Sequence, residues 1–248
     1  IRRQDDAWAR RAVKDLAEGR AQEALEAFVS RGLVKVTETR QEAMAELVKD
    51  WRADAKPSRD TLLLAGTRAD VQELNALAQR ARLEAGELGD AHVDIAGANF
   101  HVGDRVMFTK KHPVLGVVNG DRGFLHSVDD RTRVASVMLD SGEKVSFAVD
   151  AMEHIVLGYA STTHKGQGAT TLRTYVLAGG SMQDREMSYV QASRAREQTT
   201  FYMTRVETGD ELAKLAREME RSRQKEMAHT ILREQEQKNS HHEQRRRQ

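Results

Sequence analysis

Apolar residues recur at three- and four-residue steps through the N-terminal segment, at Ala7, Trp8, Ala12, Val13 and Leu16, then at Ala21, Ala24, Leu25 and Phe28. That is the period of a helix with one buried face, and Gly19 interrupts it, so a pair of helices is expected over 5–28. A short apolar stretch follows at 33–36. Thr39 with Glu42 three residues on then has the spacing of a capping box, which predicts a helix running to Trp51. Pro57 and Ser58 form a break. Thr61-Leu62-Leu63-Leu64-Ala65 is a continuous apolar run, the pattern of a strand buried on both faces, and residues 70–85 are again helical in period. Helix, strand and helix in this order predict a parallel α/β sheet.

The pattern changes near Ala91. Short β-rich segments at 105–109, 123–128, 134–139 and 144–149 are separated by turn signals at Asn119-Gly120-Asp121, Asp129-Asp130 and Asp140-Ser141-Gly142. They predict a small antiparallel barrel or sandwich over 92–150. From His154 the α/β character returns, with a strand through Tyr159, a loop, a strand at 174–178, a helix at 187–196 and a strand at 199–204. The expected organisation is an α/β unit in two parts, 1–91 and 151–206, with the small β unit inserted between them. Residues 207–248 read as a charged helical tail in which Leu212, Leu215 and Met219 mark a short apolar stripe before Arg245-Arg246-Arg247; it is expected to fray or to dock on a partner.

At 248 residues the chain can bury one large core or two small ones. Apolar residues at 39% and charged residues at 31% describe a globular protein, and no run approaches the roughly 18 apolar residues of a membrane span. The absence of cysteine excludes disulfides, thiolate metal sites and cysteine nucleophiles, and no signal-peptide pattern opens the chain, so a cytoplasmic setting is expected. A net charge of +1 lacks the basic excess of a protein that coats duplex DNA, so any nucleic-acid contact must be local. The chain opens on Ile1 inside a charged segment and is expected to be part of a longer one.

Candidate chemistry concentrates at Gly158-Tyr159-Ala160-Ser161-Thr162-Thr163-His164-Lys165-Gly166-Gln167-Gly168-Ala169-Thr170, where a strand opens into a loop rich in hydroxyls with an imidazole, an ammonium, an amide and glycines. Glycines let backbone amides approach phosphate oxygens while Thr162, Thr163 and Lys165 add donors. Composition alone fits an oxyanion-binding loop and an ordinary surface loop equally. Tyr189-Val190-Gln191-Ala192-Ser193-Arg194-Ala195-Arg196 places Arg194, on a helix, at the rim of the buried face. An arginine there suits a transferring phosphoryl group, because its fork donates two hydrogen bonds and stays charged.

The first string resembles motif V, and the second motif VI, of superfamily 1 helicases of the RecD-like branch. Arg2-Arg3-Gln4 ahead of Trp8 resembles motif IV, and Gly66-Thr67-Arg68 resembles the DNA-facing motif after the next strand. Phe100-His101-Val102-Gly103-Asp104-Arg105-Val106-Met107 and Asn119-Gly120-Asp121 are similar to the SH3-like insertion of that branch, and within it to the helicase part of conjugative relaxases of the TraA or TrwC type. The resemblance implies a RecA-like second motor lobe. Arg194 and Arg3 would meet the γ-phosphate, with Gln167, Gly168 and Gln4 on the nucleotide side. Thr162 and His164 would touch single-stranded DNA, Thr67 would hold a DNA phosphate or serve only as a helix cap, and Lys110 and Lys111 would contact the DNA backbone from an exposed loop.

No segment fits the phosphate-binding Gly-x-x-x-x-Gly-Lys-Ser/Thr pattern, and no apolar strand ends in the acidic pair that would hold magnesium and orient water. The resemblance assigns both, and with them most of the grip on ATP and Mg2+, to a first motor lobe outside this sequence. The expected partners are that lobe, single-stranded DNA and the conjugation machinery, and the expected activity is half of a 5′-to-3′ helicase that is inactive alone. Two other readings stand beside it: a stand-alone single-strand-binding or interaction module, and an unrelated α/β enzyme, for which His164 with Asp184 is the one candidate couple.

Overall fold

The computed structural model describes residues 4–54, 60–164 and 170–222. Five parallel strands form its main sheet in the order β1 (Val34–Thr37), β12 (Ala195–Thr204), β11 (Thr171–Leu177), β2 (Thr61–Ala65), β10 (Ala160–Thr162). Successive residues of β2 point to opposite faces, which explains its unbroken apolar run. Leu62 and Leu64 pack with Val176, Phe201 and Met203 under α1 (Ala7–Glu18), α2 (Ala21–Val29), α5 (Arg185–Ala192) and α7 (Ala213–Glu220). Leu63 and Ala65 pack with Tyr175, Leu177 and Tyr202 under α3 (Arg40–Ala53) and α4 (Arg68–Glu84). Each buried leucine contributes about 2 kcal/mol by area, so β2 anchors both layers.

Local signals set the helix ends. Gly19 takes a left-handed φ of 78° and ends α1, with its own N–H returning to Leu16. Thr39 and Glu42 form the reciprocal capping box that starts α3. The helix expected over 187–196 begins earlier and stops at Ala192, because the chain from Ala195 is already extended and joins the sheet beside β11. Arg194 is therefore on the joint between α5 and β12 rather than on the helix. The apolar stripe of the tail is used by this chain itself: Leu215, Ala216 and Met219 on α7 are buried in the α1–α2–α5 layer. The rest of the tail, including Arg245 to Arg247, lies outside the described residues. No described helix is long and apolar enough to cross a membrane.

Between α4 and β10 the chain builds an antiparallel sheet in the order β8 (Lys144–Ala148), β7 (Val134–Leu139), β6 (Arg122–Asp129), β5 (Arg105–Phe108), β9 (Ile155–Leu157). A hairpin of β3 (His92–Ile95) and β4 (Ala98–His101) adds Val93, Ile95 and Phe100 to the core of Val106, Phe108, Leu125, Val137 and Phe147. The single strand expected through Tyr159 is in fact divided. Ile155–Leu157 pairs with β5, whereas Ala160–Thr162 pairs with β2. Gly158 makes the crossing, with its N–H 2.7 Å from the Arg105 carbonyl oxygen. A Cβ at this glycine would lie 2.7 Å from the Val106 carbonyl carbon, so only glycine fits.

A buried polar cluster locks this junction to α4. Tyr159 donates its hydroxyl to Asp104 Oδ1 at 2.6 Å, and Gln79 Nε2 and the His101 N–H donate to Asp104 Oδ2 at 2.6 and 2.7 Å. Arg82 Nη1 donates to the Tyr159 hydroxyl at 3.0 Å and to the Gly103 carbonyl at 2.9 Å. The Asn75 amide meets both backbone groups of Ala160, accepting from its N–H at 2.8 Å and donating to its carbonyl at 3.4 Å. Burial, then the charge of Asp104, pushes the Tyr159 phenol well above its ordinary range despite Arg82, so it remains a donor. Tyr159→Phe would strip a donor from the fully buried Asp104 and is expected to lower stability by about 1–3 kcal/mol in denaturant unfolding. An unchanged midpoint would show that the cluster does not hold the junction.

Candidate functional site

Because all five strands are parallel, the sheet has one carboxyl edge and one amino edge, and the candidate residues divide between them. At the carboxyl edge β2 ends at Ala65 beside Thr162 of β10. Thr67 caps α4: its hydroxyl accepts from the Asp70 N–H at 3.1 Å and donates to Asp70 Oδ2 at 2.7 Å. The capping alternative for Thr67 is thus realised, and its hydroxyl is engaged within the helix start. Arg40 grips Asp70 with Nε and Nη2 at 3.0 and 2.8 Å and reaches Glu207 at 2.8 Å with Nη1. Thr162 is half-buried and His164 is exposed.

Thr163 between them is buried and turned inward. Its N–H donates to the Ala65 carbonyl at 3.1 Å, and its hydroxyl accepts from Gln191 Nε2 at 3.1 Å. Gln191 Oε1 in turn accepts from Gln183 Nε2 at 3.2 Å, Gln183 Nε2 also donates to Ser188 Oγ at 2.6 Å, and Gln183 Oε1 accepts the Gly179 N–H at 3.1 Å. This chain of amides and hydroxyls ties the ends of β2, β10 and β11 to α5. Sequence reasoning missed Gln183 and Gln191 as site residues. For Gln191 the signal was a polar residue on a buried stripe, since Met187, Ser188 and Gln191 share one face of α5 at three- and four-residue spacing, whereas Gln183, ahead of the Asp184 cap, carried none.

Arg194 belongs to the amino edge. The residue is 6% exposed, its Nε donates to the Val190 carbonyl at 3.1 Å, and its own carbonyl accepts the Thr171 N–H at 3.2 Å. The buried Gln4 lies against the same joint, with Nε2 3.2 Å from the Ser193 carbonyl and 3.1 Å from the Ala195 carbonyl. Asp5 continues the contact by donating its N–H to the Arg196 carbonyl at 2.9 Å. The structure thus brings Gln4 to the two residues that flank Arg194, 189 and 191 positions away in sequence.

The described chain leaves the carboxyl edge at His164 and enters β11 from the amino edge at Thr171, so the intervening segment connects the two. Gln167 and Gly168 fall in that segment, outside the described residues, as does Arg3. Lys110 and Lys111 are exposed and follow the end of β5 far from the Gly158 junction, so they join neither edge. The His164 and Asp184 couple gains no support: Asp184 caps α5, accepting the Met187 N–H at 2.7 Å, while His164 is at the exposed end of β10. Among the described residues no cluster of three or more acidic or histidine side chains is arranged to hold a metal ion.

No family model matches the chain. It is 36% identical over 208 residues to the conjugal transfer protein TraA of Agrobacterium fabrum, a match covering 82% of this chain and 19% of that protein. It is therefore homologous to TraA while spanning less than a fifth of its length. Two solved structures share its fold at low identity. The Pif1 helicase from Bacteroides, in complex with ADP-AlF3 and ssDNA, superposes with a TM-score of 0.51 at 18% identity, covering 82% of this chain and 50% of that one. The Pif1 helicase from Candida albicans gives 0.54 at 16% identity, covering 95% and 59%. The parallel-sheet core thus resembles a helicase RecA-like domain.

Acid is expected to weaken the carboxyl edge through Asp70. Burial pushes its carboxyl up, but hydrogen bonds from Arg40 and Thr67 and the Arg40 charge outweigh burial and hold it below the ordinary range. A carboxyl depressed in the folded state adds stability above its unfolded value, and that stability is lost as pH falls through the folded one. Asp70→Asn should therefore flatten the loss of stability below about pH 4. The same acid slope in both proteins, measured by thermal unfolding across pH, would contradict this.

Proposed function

We propose, from the premise that this chain is homologous to a segment of the TraA conjugal transfer proteins, that it is the second motor lobe of an ATP-dependent 5′-to-3′ DNA helicase within a conjugative relaxase-helicase. In this reading residues 1–91 and 151–206 form the RecA-like lobe, 92–150 an SH3-like barrel inserted in it, and 207–248 an appended helical tail. The lobe acts in the cytoplasm beside the conjugation machinery. It closes on a first lobe that supplies the main grip on ATP and Mg2+.

The proposal is supported by where the candidate residues lie, Gln4 and Arg194 at the amino edge of the sheet and Thr162, Thr163 and His164 at its carboxyl edge. At the amino edge Arg194, aided by Arg3, meets the charge that develops on the γ-phosphoryl group. Val190 holds Nε and Thr171 holds the backbone carbonyl, which fixes where the side chain leaves the joint and suits a group that stabilises a phosphoryl transition state. ATP with Mg2+ supplies the phosphoryl group and neutralises its oxygens. Gln167 and Gly168 sense the nucleotide from the connecting segment.

At the carboxyl edge Thr162 and His164 contact single-stranded DNA, with the Thr67 turn and the start of α4 beside them as a phosphate contact. Lys110 and Lys111 meet the DNA backbone from the outer end of the inserted sheet. A nucleotide-driven shift at the amino edge reaches DNA through α5 and the Gln191–Thr163 hydrogen bond. The inserted sheet moves with the lobe because Tyr159, Asp104 and Arg82 clamp it to α4.

Arg194→Ala in the full-length protein is expected to lower DNA-stimulated ATP turnover by about 10³-fold or more, the typical worth of an arginine finger, while single-strand affinity stays within about twofold. Steady-state ATPase and fluorescence anisotropy with a labelled oligonucleotide measure the two. Turnover near wild type would remove Arg194 from the mechanism, and intact DNA binding with no ATPase in the wild type would favour a stand-alone binding module.

A further inference from the structure

Gln4 carries the resemblance's assignment to the nucleotide side, yet its amide nitrogen is occupied by protein. Both of its hydrogens point at backbone carbonyls, those of Ser193 and Ala195, which flank Arg194. A primary amide has two hydrogens, so the one nitrogen can serve both carbonyls. These two carbonyls belong to the joint where α5 has ended at Ala192 and β12 has only begun at Ala195. The helix ladder cannot satisfy the first of them, because no helical turn follows it. The segment bearing Gln4 is itself held: Arg10 Nη1 donates to the Gln4 and Asp5 carbonyls at 2.6 and 2.8 Å, and Asp5 pairs with Arg196 through the backbone. α1 then continues into the apolar layer against α5, with Ala12, Val13, Leu16 and Ala192 in one core.

We infer that Gln4 is a positioning residue for Arg194, a backbone clip that sets the direction in which the guanidinium leaves the α5–β12 joint, and not a contact to the nucleotide. The inference rests on the reading of Arg194 as the residue that meets the γ-phosphoryl charge. Orientation is the sensitive quantity: a displacement of about 1 Å at a catalytic group can cost 10²-fold in rate. A clip of this kind acts on the transition state and spares the ground state, because a bound diphosphate does not call on Arg194.

The experiment compares ADP with ADP–aluminium fluoride, a mimic of the transferring phosphoryl group, on the full-length protein with single-stranded DNA present. Gln4→Met keeps the length of the side chain and removes both donors, and Gln4→Glu keeps the shape and replaces the donors with an anion. Each is expected to weaken ADP–aluminium fluoride about tenfold or more with ADP affinity within about twofold. In an Arg194→Ala background the same substitutions should add nothing, since residues acting through one another are non-additive.

Three results would overturn the assignment: equal weakening of ADP and the mimic, as expected of a direct nucleotide contact; a further tenfold loss on top of Arg194→Ala; or no change in either ligand. If Gln4→Glu fails to fold, the neutral Gln4→Met decides. Failure of the underlying reading has its own signature, which is Arg194→Ala alone leaving the mimic as tightly bound as in wild type.

Discussion

Three residues of strand hold the main sheet to the inserted one. β10 is only Ala160–Thr162, yet it returns the chain from an antiparallel excursion to the parallel sheet and delivers Thr162, Thr163 and His164 to the carboxyl edge. So short a strand cannot keep its register by ladder hydrogen bonds alone, and the neighbouring side chains supply what is missing. Asn75 satisfies both backbone groups of Ala160, Tyr159 anchors to Asp104, and Thr163 bonds back to Ala65. Gly158 permits the approach to β5 that any Cβ would block. Loss of this register would move Thr162, Thr163, His164 and the inserted sheet together.

That constraint also bears on the division of labour proposed for the two edges. A parallel strand must be re-entered from the opposite end, so the connection from β10 to β11 necessarily runs from one edge to the other. The proposed DNA contacts are at its start, and its end leads into the layer where Thr171 bonds the Arg194 carbonyl. α5 links the two edges as well, through Gln191 to Thr163 and through the joint to Arg194. With a net charge of only +1, the chain has no general attraction for nucleic acid to rely on, which suits contacts made by a few placed residues.

Much of this architecture was legible in the sequence because apolar periodicity and capping chemistry are local. The β2 run, the Gly19 break, the Thr39 and Glu42 box and the strand at Val134–Leu139 follow from a few neighbouring residues each. Long-range facts were not legible. Nothing near Ile155 signals that it joins one sheet while Ala160 joins another, because the choice depends on β5 and β2, distant in the chain. The end of α5 was misjudged for the same reason: residues 193–196 fit a helix by pattern, and pairing with β11 overrides it. Gln4 and Arg194 were both legible as candidates, but the bonds from Gln4 to Ser193 and Ala195 on either side of Arg194, about 190 positions away, were not.

In the proposed function this chain completes a nucleotide site whose phosphate grip lies on another lobe. The most direct measurement is ATP hydrolysis by the 248-residue chain alone, with and without single-stranded DNA, beside the full-length protein under the same conditions. The account predicts DNA-stimulated turnover in the full-length protein and none above background in the isolated chain. Hydrolysis by the isolated chain would contradict it.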